Sequence, residues 1–367
     1  MNTQNPRYAR HYSLKSFGLE AQRELDKASV LVIGAGGLGC PVLQYLVAAG
    51  VGKIGIVDGD KVALSNLQRQ VLFETLDVGK PKASTSAEKL RKLNPEIKIE
   101  SFDENITVSN AFDLLSDYEI AIDCTDNFAS RYLINDVCVL LKKPLVFGAI
   151  FQFEGQVVVF NSNETAANYR DLFPIPPDAS EVLDCNEAGV LGVLPGTIGT
   201  LQAVETIKLI CSLDGLLTNK LLTMNLLTYE SFVIEISPDE SNQKSRPKNR
   251  SDFENMNYDW FCGSGLPNLI ELEPSEFLEK TSESDTLIID VREPSETPKA
   301  EFANTNIPLS RLSQNISEIA ETEIVLFCQS GKRSLKAAKI LQQNFGATKK
   351  ISHLKGGMIA LNEHQNG

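Results

Sequence analysis

An apolar strand, a glycine-rich turn and a helix follow one another near the start of the chain. Val30-Leu31-Val32-Ile33 is the kind of β-branched and aliphatic run that forms a buried parallel strand. It leads into Gly34-Ala35-Gly36-Gly37-Leu38-Gly39, and apolar residues at helical spacing follow the turn. The backbone N–H groups of such a turn, together with the helix N-terminus, attract a phosphate. The pattern therefore predicts an α/β sheet that binds a nucleotide.

The residues after this turn narrow the kind of nucleotide. Ile54-Gly55-Ile56-Val57 is a predicted second strand, and Asp58 at its end could bind a ribose hydroxyl. Ser65-Asn66-Leu67-Gln68-Arg69-Gln70 and Lys80-Pro81-Lys82 then supply amides and cations. This polar set suits a triphosphate better than an uncharged nicotinamide. Structural tightness or a dinucleotide site would each also explain the glycine turn when it is considered alone.

Strand and helix patterns alternate along the first two thirds of the chain. We predict strands at 120–122 and 145–147 and helices at 83–93 and 131–141, which together form a doubly wound, Rossmann-like sheet. Two later segments alternate differently and are predicted to add antiparallel strands, which makes the sheet mixed. They cover residues 156–160 and 232–236.

A change in composition marks the end of this first domain. Residues 237–257 are rich in Ser, Asn, Asp, Lys and Arg and have few large apolar residues, as linkers do. After Leu266 a second, smaller α/β pattern begins, with a helix predicted at 334–341. We therefore predict three parts, listed here by residue number: a nucleotide-binding domain (1–240), a linker (241–266) and a small α/β domain (267–367).

Composition excludes several classes of protein. The net charge of −13 and the isoelectric point near 4.9 argue against a general nucleic-acid or anionic-membrane binder. Seven scattered cysteines and no export signal indicate free thiols in a reducing cytoplasm. The nearly uncharged window from Val30 to Gly52 is divided by six glycines and Pro41, so we predict no membrane span.

A second polar cluster follows the strand predicted at 120–122. Asp123-Cys124-Thr125-Asp126-Asn127 lies at the carboxyl end of that strand, where open α/β sheets bind ligands. A carboxylate in this position could hold Mg²⁺ against phosphates. The alternative is structural, because the same residues could form an Asx turn or cap the following helix.

The small domain contains one cysteine in a distinctive loop. Cys328-Gln329-Ser330-Gly331-Lys332-Arg333-Ser334 lies between a predicted strand and a predicted helix. Backbone N–H groups, the helix N-terminus and two cations would favour a thiolate anion at this position. A buried structural cysteine is the alternative interpretation.

Taken together, the motifs of the first domain resemble the ubiquitin-activating-enzyme-like adenylyltransferases of the MoeB, ThiF and HesA family, which activate sulfur carriers for molybdopterin and thiamine synthesis. Besides the motifs above, the resemblance includes Arg7-Tyr8-x-Arg10 and Glu187-Ala188-Gly189-Val190, and it covers roughly residues 7–236. It implies that ATP adenylylates the C-terminal glycine of a small ubiquitin-like carrier that ends in Gly-Gly. Pyrophosphate is the second product.

The resemblance also assigns roles to particular residues. Asp126 would hold Mg²⁺ at the catalytic centre, and Arg10 would act from the neighbouring subunit of a homodimer. Cys185 lies in the family's crossover loop, where some members bond covalently to the carrier; Asp184 and Glu187 beside it do not favour a thiolate. The remaining ATP-binding residues implied by the resemblance are Gly37 at the phosphates, Asp58 at the ribose, Asn66, Arg69 and Lys82 at the phosphate charge, and Asp60, Ser65, Leu67, Gln68 and Asn127.

One departure from the family concerns metal. Members of the family usually have two Cys-x-x-Cys pairs that bind structural zinc, but the corresponding positions here hold Asn168, Asp171, Asp259 and Cys262. One thiolate and two carboxylates are poor ligands for structural zinc. We therefore expect ATP and Mg²⁺ as cofactors and no zinc.

The small domain resembles rhodanese domains. Asp290-Val291-Arg292-Glu293 and Gly356-Gly357-Met358 complete the pattern around Cys328, although the segment between Arg292 and Ile307 departs from it. The resemblance makes Cys328 a persulfide carrier that is loaded by an upstream persulfide donor. A cysteine phosphatase loop, with Arg333 inside it, is a less favoured alternative.

These observations lead to a two-step hypothesis. The first domain would form an acyl-adenylate on the carrier, and the persulfide of the second would convert it into a thiocarboxylate. One rival is an NAD-dependent oxidoreductase with a sulfur-handling domain, and the other is a non-catalytic scaffold that binds a carrier. The Ser65–Arg69 loop and Lys82 argue against the oxidoreductase. The charges of Asp58, Arg69, Lys82 and Asp126 argue against the scaffold.

Overall fold

The structure is a computed structural model, and it divides into two compact units, Met1–Cys262 and Gly263–Gly367. The domain limits stated above stay a prediction. The described residues are 5–174, 189–243, 246–258, 270–283, 286–316, 319–345 and 349–366.

One mixed sheet organises the described part of the first unit. Its strands are β1 Ser29–Ile33, β2 Lys53–Val57, β3 Lys98–Phe102, β4 Ile120–Asp123, β5 Leu145–Phe151, β6 Glu154–Phe160, β7 Lys220–Asn225 and β8 Ser231–Glu235. The order is β3-β2-β1-β4-β5-β6-β7-β8. The strands from β3 to β5 are parallel, and β6, β7 and β8 are each antiparallel to the preceding strand. The predicted doubly wound mixed sheet is confirmed.

Helices cover both faces of this sheet. Val30 and Val32 of β1 pack into one apolar core, whereas Leu31 and Ile33 pack into a second core on the other face. Because both faces are buried, β1 is apolar from Val30 to Ile33. The helices are α1 Ala9–Tyr12, α2 Gly18–Lys27, α3 Gly39–Ala49, α4 Lys82–Leu93, α5 Ala111–Ser116, α6 Phe128–Leu141, α7 Tyr169–Leu172, α8 Val193–Ile210 and α9 Arg250–Glu254.

The strand order creates a crevice at the ends of β1 and β4. The chain runs from β1 to β2 on one side, and β4 then pairs with the other side of β1. A reversal of this kind leaves an opening at the carboxyl ends of the strands, where α/β proteins bind ligands. Gly34 follows β1, and a Cβ atom on it would lie 2.7 Å from the carbonyl oxygen of Cys124, which follows β4. The glycine turn and the Asp123–Asn127 segment are therefore adjacent.

Part of the stretch interpreted as a linker is packed onto the first unit. Within residues 241–266, α9 and the turn after it bring Phe253 and Tyr258 into the core beside Phe112. The Tyr258 hydroxyl also donates a hydrogen bond of 2.8 Å to the buried Asp136 carboxylate. The polar composition of this stretch hid two aromatic anchors, so residues 250–258 are not an open linker.

The second unit is a smaller α/β fold. Its strands are β9 Ile270–Leu272, β10 Thr286–Asp290, β11 Thr305–Asn306, β12 Glu323–Phe327 and β13 Lys350–Leu354. They form a parallel sheet in the order β11-β10-β12-β13-β9, with an apolar core on each face. This confirms the predicted small α/β domain. The helices are α10 Pro274–Lys280, α11 Leu312–Asn315, α12 Lys332–Phe345 and α13 Gly357–Asn366.

Helix length and apolarity bear on the membrane prediction. Among the described residues of both units, no helix combines enough length with enough apolar character to cross a bilayer.

Candidate functional site

The glycine turn has a shape that side chains would prevent. Gly34 has a φ of +97°, in the left-handed region, and a Cβ atom on Gly39 would lie 1.9 Å from the Gly34 carbonyl oxygen. Helix α3 begins at Gly39 and has no side-chain cap. The first N–H groups of α3 are therefore not blocked by a capping side chain, which suits an anionic ligand.

Asp58 lies against this turn. Its carboxylate accepts a hydrogen bond of 2.7 Å from the Ala35 N–H and one of 2.8 Å from the Asp60 N–H. Burial raises the pKa of Asp58, and the nearby charge of Lys82 acts in the opposite direction. The two N–H groups hold the carboxylate in place at the end of β2, the position predicted for a ribose contact.

Lys82 brings a buried cation to the same edge. It is the first residue of α4, and its side chain is 7% exposed, whereas that of Asp60 is 69% exposed. The Lys82 Nζ donates to Asp60 Oδ2 over 2.8 Å. Because the carboxylate is on the outside of this pair, an incoming phosphate could replace it without moving the ammonium group.

Arg69 lies over the glycine turn. Its Cγ is 3.5 Å from the position that a Cβ atom on Gly37 would occupy, and Pro195 closes the other side of Gly37 at 3.0 Å. The guanidinium donates to the Ser65 carbonyl oxygen over 3.1 Å. Gly37 and Arg69, which the sequence placed at the phosphates, are therefore neighbours in the fold.

The other residues of this loop have structural contacts. Asn66 accepts a hydrogen bond of 3.1 Å from the Ala63 N–H, and Leu67 packs beside the buried cluster that contains Cys40. The backbone of Gln68 lies so close to Gly192 that a Cβ atom there would be 2.2 Å from its carbonyl oxygen. These contacts fix the path of the loop that carries Ser65 and Arg69.

The segment after β4 separates structural residues from an exposed acid. Asn127 Oδ1 accepts a hydrogen bond of 2.9 Å from the Ser130 N–H and caps α6, while Asp123 forms an Asx turn with the N–H and hydroxyl of Thr125. Burial raises the pKa of Asp123. Asp126 is exposed and makes no hydrogen bond or ion pair within the described ranges. Asp123 and Asn127 therefore have the turn and cap roles that the sequence offered as the structural alternative, whereas the Asp126 carboxylate is available to a ligand.

Two residues that the sequence did not single out donate hydrogen bonds to the backbone of the Asp123–Asn127 segment. The buried amide of Gln202 in α8 donates to the Asp123 carbonyl oxygen over 2.7 Å. The Arg131 guanidinium donates to the Thr125 carbonyl oxygen over 3.2 Å. A single amide in an apolar helix gives no local signal of such a long-range contact.

Arg10 follows a residue that contacts the end of α3 opposite to the glycine turn. It is exposed on α1, two residues after Tyr8. Tyr8 packs against Gly50, where a Cβ atom would lie 2.6 Å from the tyrosine ring. Gly50 follows the last residue of α3, and the glycine turn precedes its first residue. The 11 residues of α3 between them span roughly 16 Å.

The two described positions of the family's zinc site hold a hydrogen-bonded cap. Asn168 caps α7 by accepting from the Arg170 N–H over 3.0 Å, and its own amide donates to Asp171 Oδ2 over 2.7 Å. The other oxygen of Asp171 accepts from the Asp239 N–H over 3.0 Å. These polar atoms are engaged with the protein, and they do not fit a zinc centre.

Several sequence predictions fall outside the described residues. These are Cys185 with the neighbouring Glu187 and Ala188, and the two remaining zinc-site positions, Asp259 and Cys262.

The second unit places Cys328 in a tight backbone cradle. The residue is buried at the end of β12, and the Ser334 N–H donates to its sulfur over 3.3 Å. Its carbonyl oxygen accepts from the Met358 N–H over 2.9 Å. A Cβ atom on Gly357 would lie 2.4 Å from that oxygen, so the glycine allows α13 to approach the loop.

Arg333 in this loop forms an ion pair that the sequence did not predict. Its two terminal nitrogens donate to the two oxygens of Glu296 over 2.5 and 2.8 Å. The hydrogen bonds from Arg333 lower the pKa of Glu296 to about 2. Lys332 beside it is exposed and has no ion-pair partner in the described part of the chain.

A cavity of about 410 Å³ in the first unit lies elsewhere. It is lined by residues 106–108, the first two turns of α6 and residues 254–258, and it contains none of the predicted ATP-binding residues. The glycine turn is therefore separate from this cavity.

Two family models match this chain in succession. Residues 8–246 match the ThiF family, and residues 273–364 match the rhodanese-like domain. The first match covers more than half of the chain. The oxidoreductase and scaffold alternatives are not favoured by these matches.

Curated relatives share this arrangement. A sulfur carrier protein adenylyltransferase from Thermus thermophilus is 46% identical over 263 residues, which cover 70% of this chain and 96% of the relative. The probable adenylyltransferase/sulfurtransferase MoeZ of Mycobacterium tuberculosis is 38% identical, with 96% of this chain and 92% of the relative covered. The adenylyltransferase and sulfurtransferase MOCS3 of Arabidopsis thaliana is also 38% identical, with 94% and 81% covered.

Solved structures agree on the fold. The E. coli MccB structure determined with MccA-N7isoASN superposes with a TM-score of 0.57, at 23% sequence identity, over 65% of this chain and 73% of that one. At this identity the similarity establishes the fold alone. With the two family matches and the relatives above, this chain belongs to the ThiF family and carries a rhodanese-like domain after its ThiF domain.

Proposed function

We propose that this protein is an adenylyltransferase and sulfurtransferase that activates a small ubiquitin-like sulfur carrier. The ThiF domain adenylylates the C-terminal glycine of the carrier, and a persulfide on Cys328 then supplies sulfur to make a thiocarboxylate. The observation that carries the proposal is that Asp58 and Arg69 lie against the glycine turn, with the charge of Lys82 acting on Asp58, in a chain that also has a cradled cysteine loop.

The first step requires charge neutralisation and positioning. A carboxylate oxygen of the carrier bonds to the α-phosphorus of ATP while the bond to pyrophosphate breaks, which gives an acyl-adenylate. Arg69 and Lys82 offset the phosphate charge, and Asp58 binds the ribose. The exposed carboxylate of Asp126 would hold Mg²⁺, which stabilises the negative charge on the phosphates.

The second step uses the acyl-adenylate as an electrophile. The outer sulfur of a Cys328 persulfide bonds to the carrier's carbonyl carbon, and AMP leaves. A thiol then cleaves the resulting acyl disulfide, which releases the thiocarboxylate and leaves a disulfide with Cys328. If that thiol is Cys185, the Cys185→Ser variant loses thiocarboxylate formation and retains adenylation.

We further propose that the active protein is a cytoplasmic homodimer in which Arg10 completes the neighbouring site. The distance of roughly 16 Å along α3 between the surroundings of Tyr8 and the glycine turn supports this assignment. An arginine side chain is too short to span it.

We also propose that the protein holds no zinc, since the polar groups of Asn168 and Asp171 bind each other and the backbone.

Adenylation is tested by carrier-dependent exchange of pyrophosphate into ATP. Asp126→Asn should lower the exchange rate by roughly 100- to 1000-fold, as the loss of a charge-stabilising group does. Asp214→Asn, a change at an exposed acid elsewhere on the first unit, is the matched control and should retain exchange. Exchange at the wild-type rate in Asp126→Asn would contradict the proposed site.

Sulfur transfer is tested by the mass of the carrier after incubation with ATP and a sulfur donor. The thiocarboxylate is heavier than the carboxylate by about 16 Da because sulfur replaces oxygen. Cys328→Ser should abolish this product and leave pyrophosphate exchange intact. Undiminished product in that variant would remove the role assigned to the second unit.

A further inference from the structure

Arg333, one of the two cations beside the cysteine loop, is already paired with an acid. Arg333 immediately precedes Ser334, whose N–H reaches the Cys328 sulfur, and the positive charge of Arg333 interacts with that cysteine. Both terminal nitrogens of the guanidinium donate to Glu296. The pKa of Glu296 is about 2 because of these hydrogen bonds, so its carboxylate is ionised at neutral pH.

Backbone contacts hold Glu296 in this position. Its Oε1 accepts a hydrogen bond of 2.9 Å from the Glu293 N–H, and its own N–H donates to the Glu293 carbonyl oxygen over 3.0 Å. Glu293 is in turn joined to Ser310, whose hydroxyl donates to it over 3.0 Å. The side chains of Glu296 and Arg333 are only 30% and 35% exposed. The acid is therefore part of a fixed wall of the loop and is not a mobile surface group.

This arrangement changes the charge that a sulfur donor meets. Without Glu296, the loop would present two cations, Lys332 and Arg333. With Glu296 in place, only Lys332 is uncompensated among the described groups of the loop. Attraction of a dianion depends more strongly on this difference than attraction of a monoanion or a neutral molecule, because the Coulomb energy scales with the charge of the donor.

We propose that Glu296 determines the choice of sulfur donor by neutralising Arg333, so that the Cys328 loop disfavours the thiosulfate dianion and favours persulfides. The inference rests on the proposed function, in which Cys328 takes up sulfur. It assigns the upstream donor to a chemical class: a thiol-borne persulfide with at most one negative charge on its sulfur.

Both donors load the cysteine by the same kind of displacement. With thiosulfate, the Cys328 thiolate bonds to the outer sulfur, the S–S bond of thiosulfate breaks, and sulfite leaves with the electron pair. With a hydropersulfide R–S–SH, the thiolate bonds to the outer sulfur and the thiolate R–S⁻ leaves. Each reaction balances without a further oxidant or reductant. The charge of the donor is the difference that the loop can sense.

The experiment compares two donors in the full-length protein. Glu296→Gln should raise kcat/KM for thiosulfate by about ten-fold, equivalent to about 1.4 kcal/mol. It should change kcat/KM for the hydropersulfide of 2-mercaptoethanol by less than about two-fold, and added salt should reduce the gain with thiosulfate. Glu283→Gln is the matched control, because it breaks a 2.7 Å pair with Lys280 elsewhere on the same unit and should change neither value.

A second variant guards against misfolding of the first. Arg333→Gln leaves the Glu296 carboxylate uncompensated and should lower kcat/KM for thiosulfate by about ten-fold relative to the hydropersulfide. The test uses the variant, Glu296→Gln or Arg333→Gln, that has the melting temperature of the wild type. The inference is overturned if the ratio of kcat/KM for thiosulfate to kcat/KM for the hydropersulfide is unchanged in that variant, or if both values fall equally. Cys328→Ser distinguishes failure of the proposed function from failure of the role of Glu296. Sulfur uptake that persists in Cys328→Ser refutes the proposed function. If Cys328→Ser loses sulfur uptake but Glu296→Gln has the donor ratio of the wild type, only the role of Glu296 is refuted.

Discussion

The strongest stability prediction concerns a fully buried ion pair in the first unit. Arg170 donates to the Asp136 carboxylate from Nε over 2.8 Å and from Nη2 over 2.7 Å, and both side chains are 0% exposed. The Tyr258 hydroxyl donates to the same carboxylate. Burial opposes the charge of Arg170, but the hydrogen bonds with Asp136 outweigh it and raise the pKa of the guanidinium. Asp136→Asn would leave this cation buried without its counter-charge.

The expected loss follows from that burial. Removing one partner of a buried pair costs about 3–5 kcal/mol, since the remaining charge stays out of water. For a unit of this size each kcal/mol corresponds to roughly 2–4 °C, so the melting temperature should fall by roughly 6–20 °C. An exposed pair offers the contrast. Glu24 and Lys27 are 2.8 Å apart with side chains more than half exposed, and Glu24→Gln should cost less than about 1 kcal/mol.

Thermal unfolding followed by circular dichroism measures both variants. A double variant, Asp136→Leu with Arg170→Met, removes both charges and should recover much of the stability lost in Asp136→Asn. If Asp136→Asn melts within 2 °C of Glu24→Gln, a range set by about 1 kcal/mol of difference, the buried pair does not have the role assigned to it.

Three further predictions concern the sites. Elemental analysis of the purified protein should find no stoichiometric zinc, and chelators should not unfold it; near one zinc per chain would contradict this. Mixed Arg10→Ala and Asp126→Ala subunits should regain exchange activity through one intact site per heterodimer, and no recovery after verified subunit exchange would place Arg10 in its own chain's site or in none. Gly39→Ala should abolish exchange, because its Cβ atom would lie 1.9 Å from the Gly34 oxygen, whereas Gly196→Ala, which meets open space, should retain it. Equal activity of the two glycine variants would show that the shape of the turn is not required.

The regular elements of both units could be predicted because their signals are local. The apolar run of β1 is continuous since helices cover both of its faces, and the glycine turn after it is demanded by contacts within a few residues. The doubly wound architecture follows from the alternation of strands with helices and from the general handedness of such crossovers. Short stretches of sequence are therefore enough to predict these elements.

Contacts between distant residues could not be predicted in this way. Glu296 meets Arg333 from a segment 37 residues earlier, and Gln202 reaches the end of β4 from a helix 79 residues later. Phe253 and Tyr258 lie in a polar stretch that resembles a linker until their long-range packing is known. Asn127 shows the converse, because its role as a helix cap is local and was among the alternatives that the sequence offered.

The cations of the two proposed sites are paired with acids of different exposure, and the difference fits the substrates that we propose for them. Lys82 is paired with Asp60, an acid that is 69% exposed and outside the ammonium group. Arg333 is paired with Glu296, an acid that the backbone of Glu293 holds in place. A triphosphate carries enough charge to displace an exposed carboxylate, whereas a carboxylate held by the backbone would continue to repel a small dianion. In the proposed sites, the first pair would leave a cation available to ATP and the second would keep one away from thiosulfate. The same kind of ion pair would then serve binding in one unit and selectivity in the other.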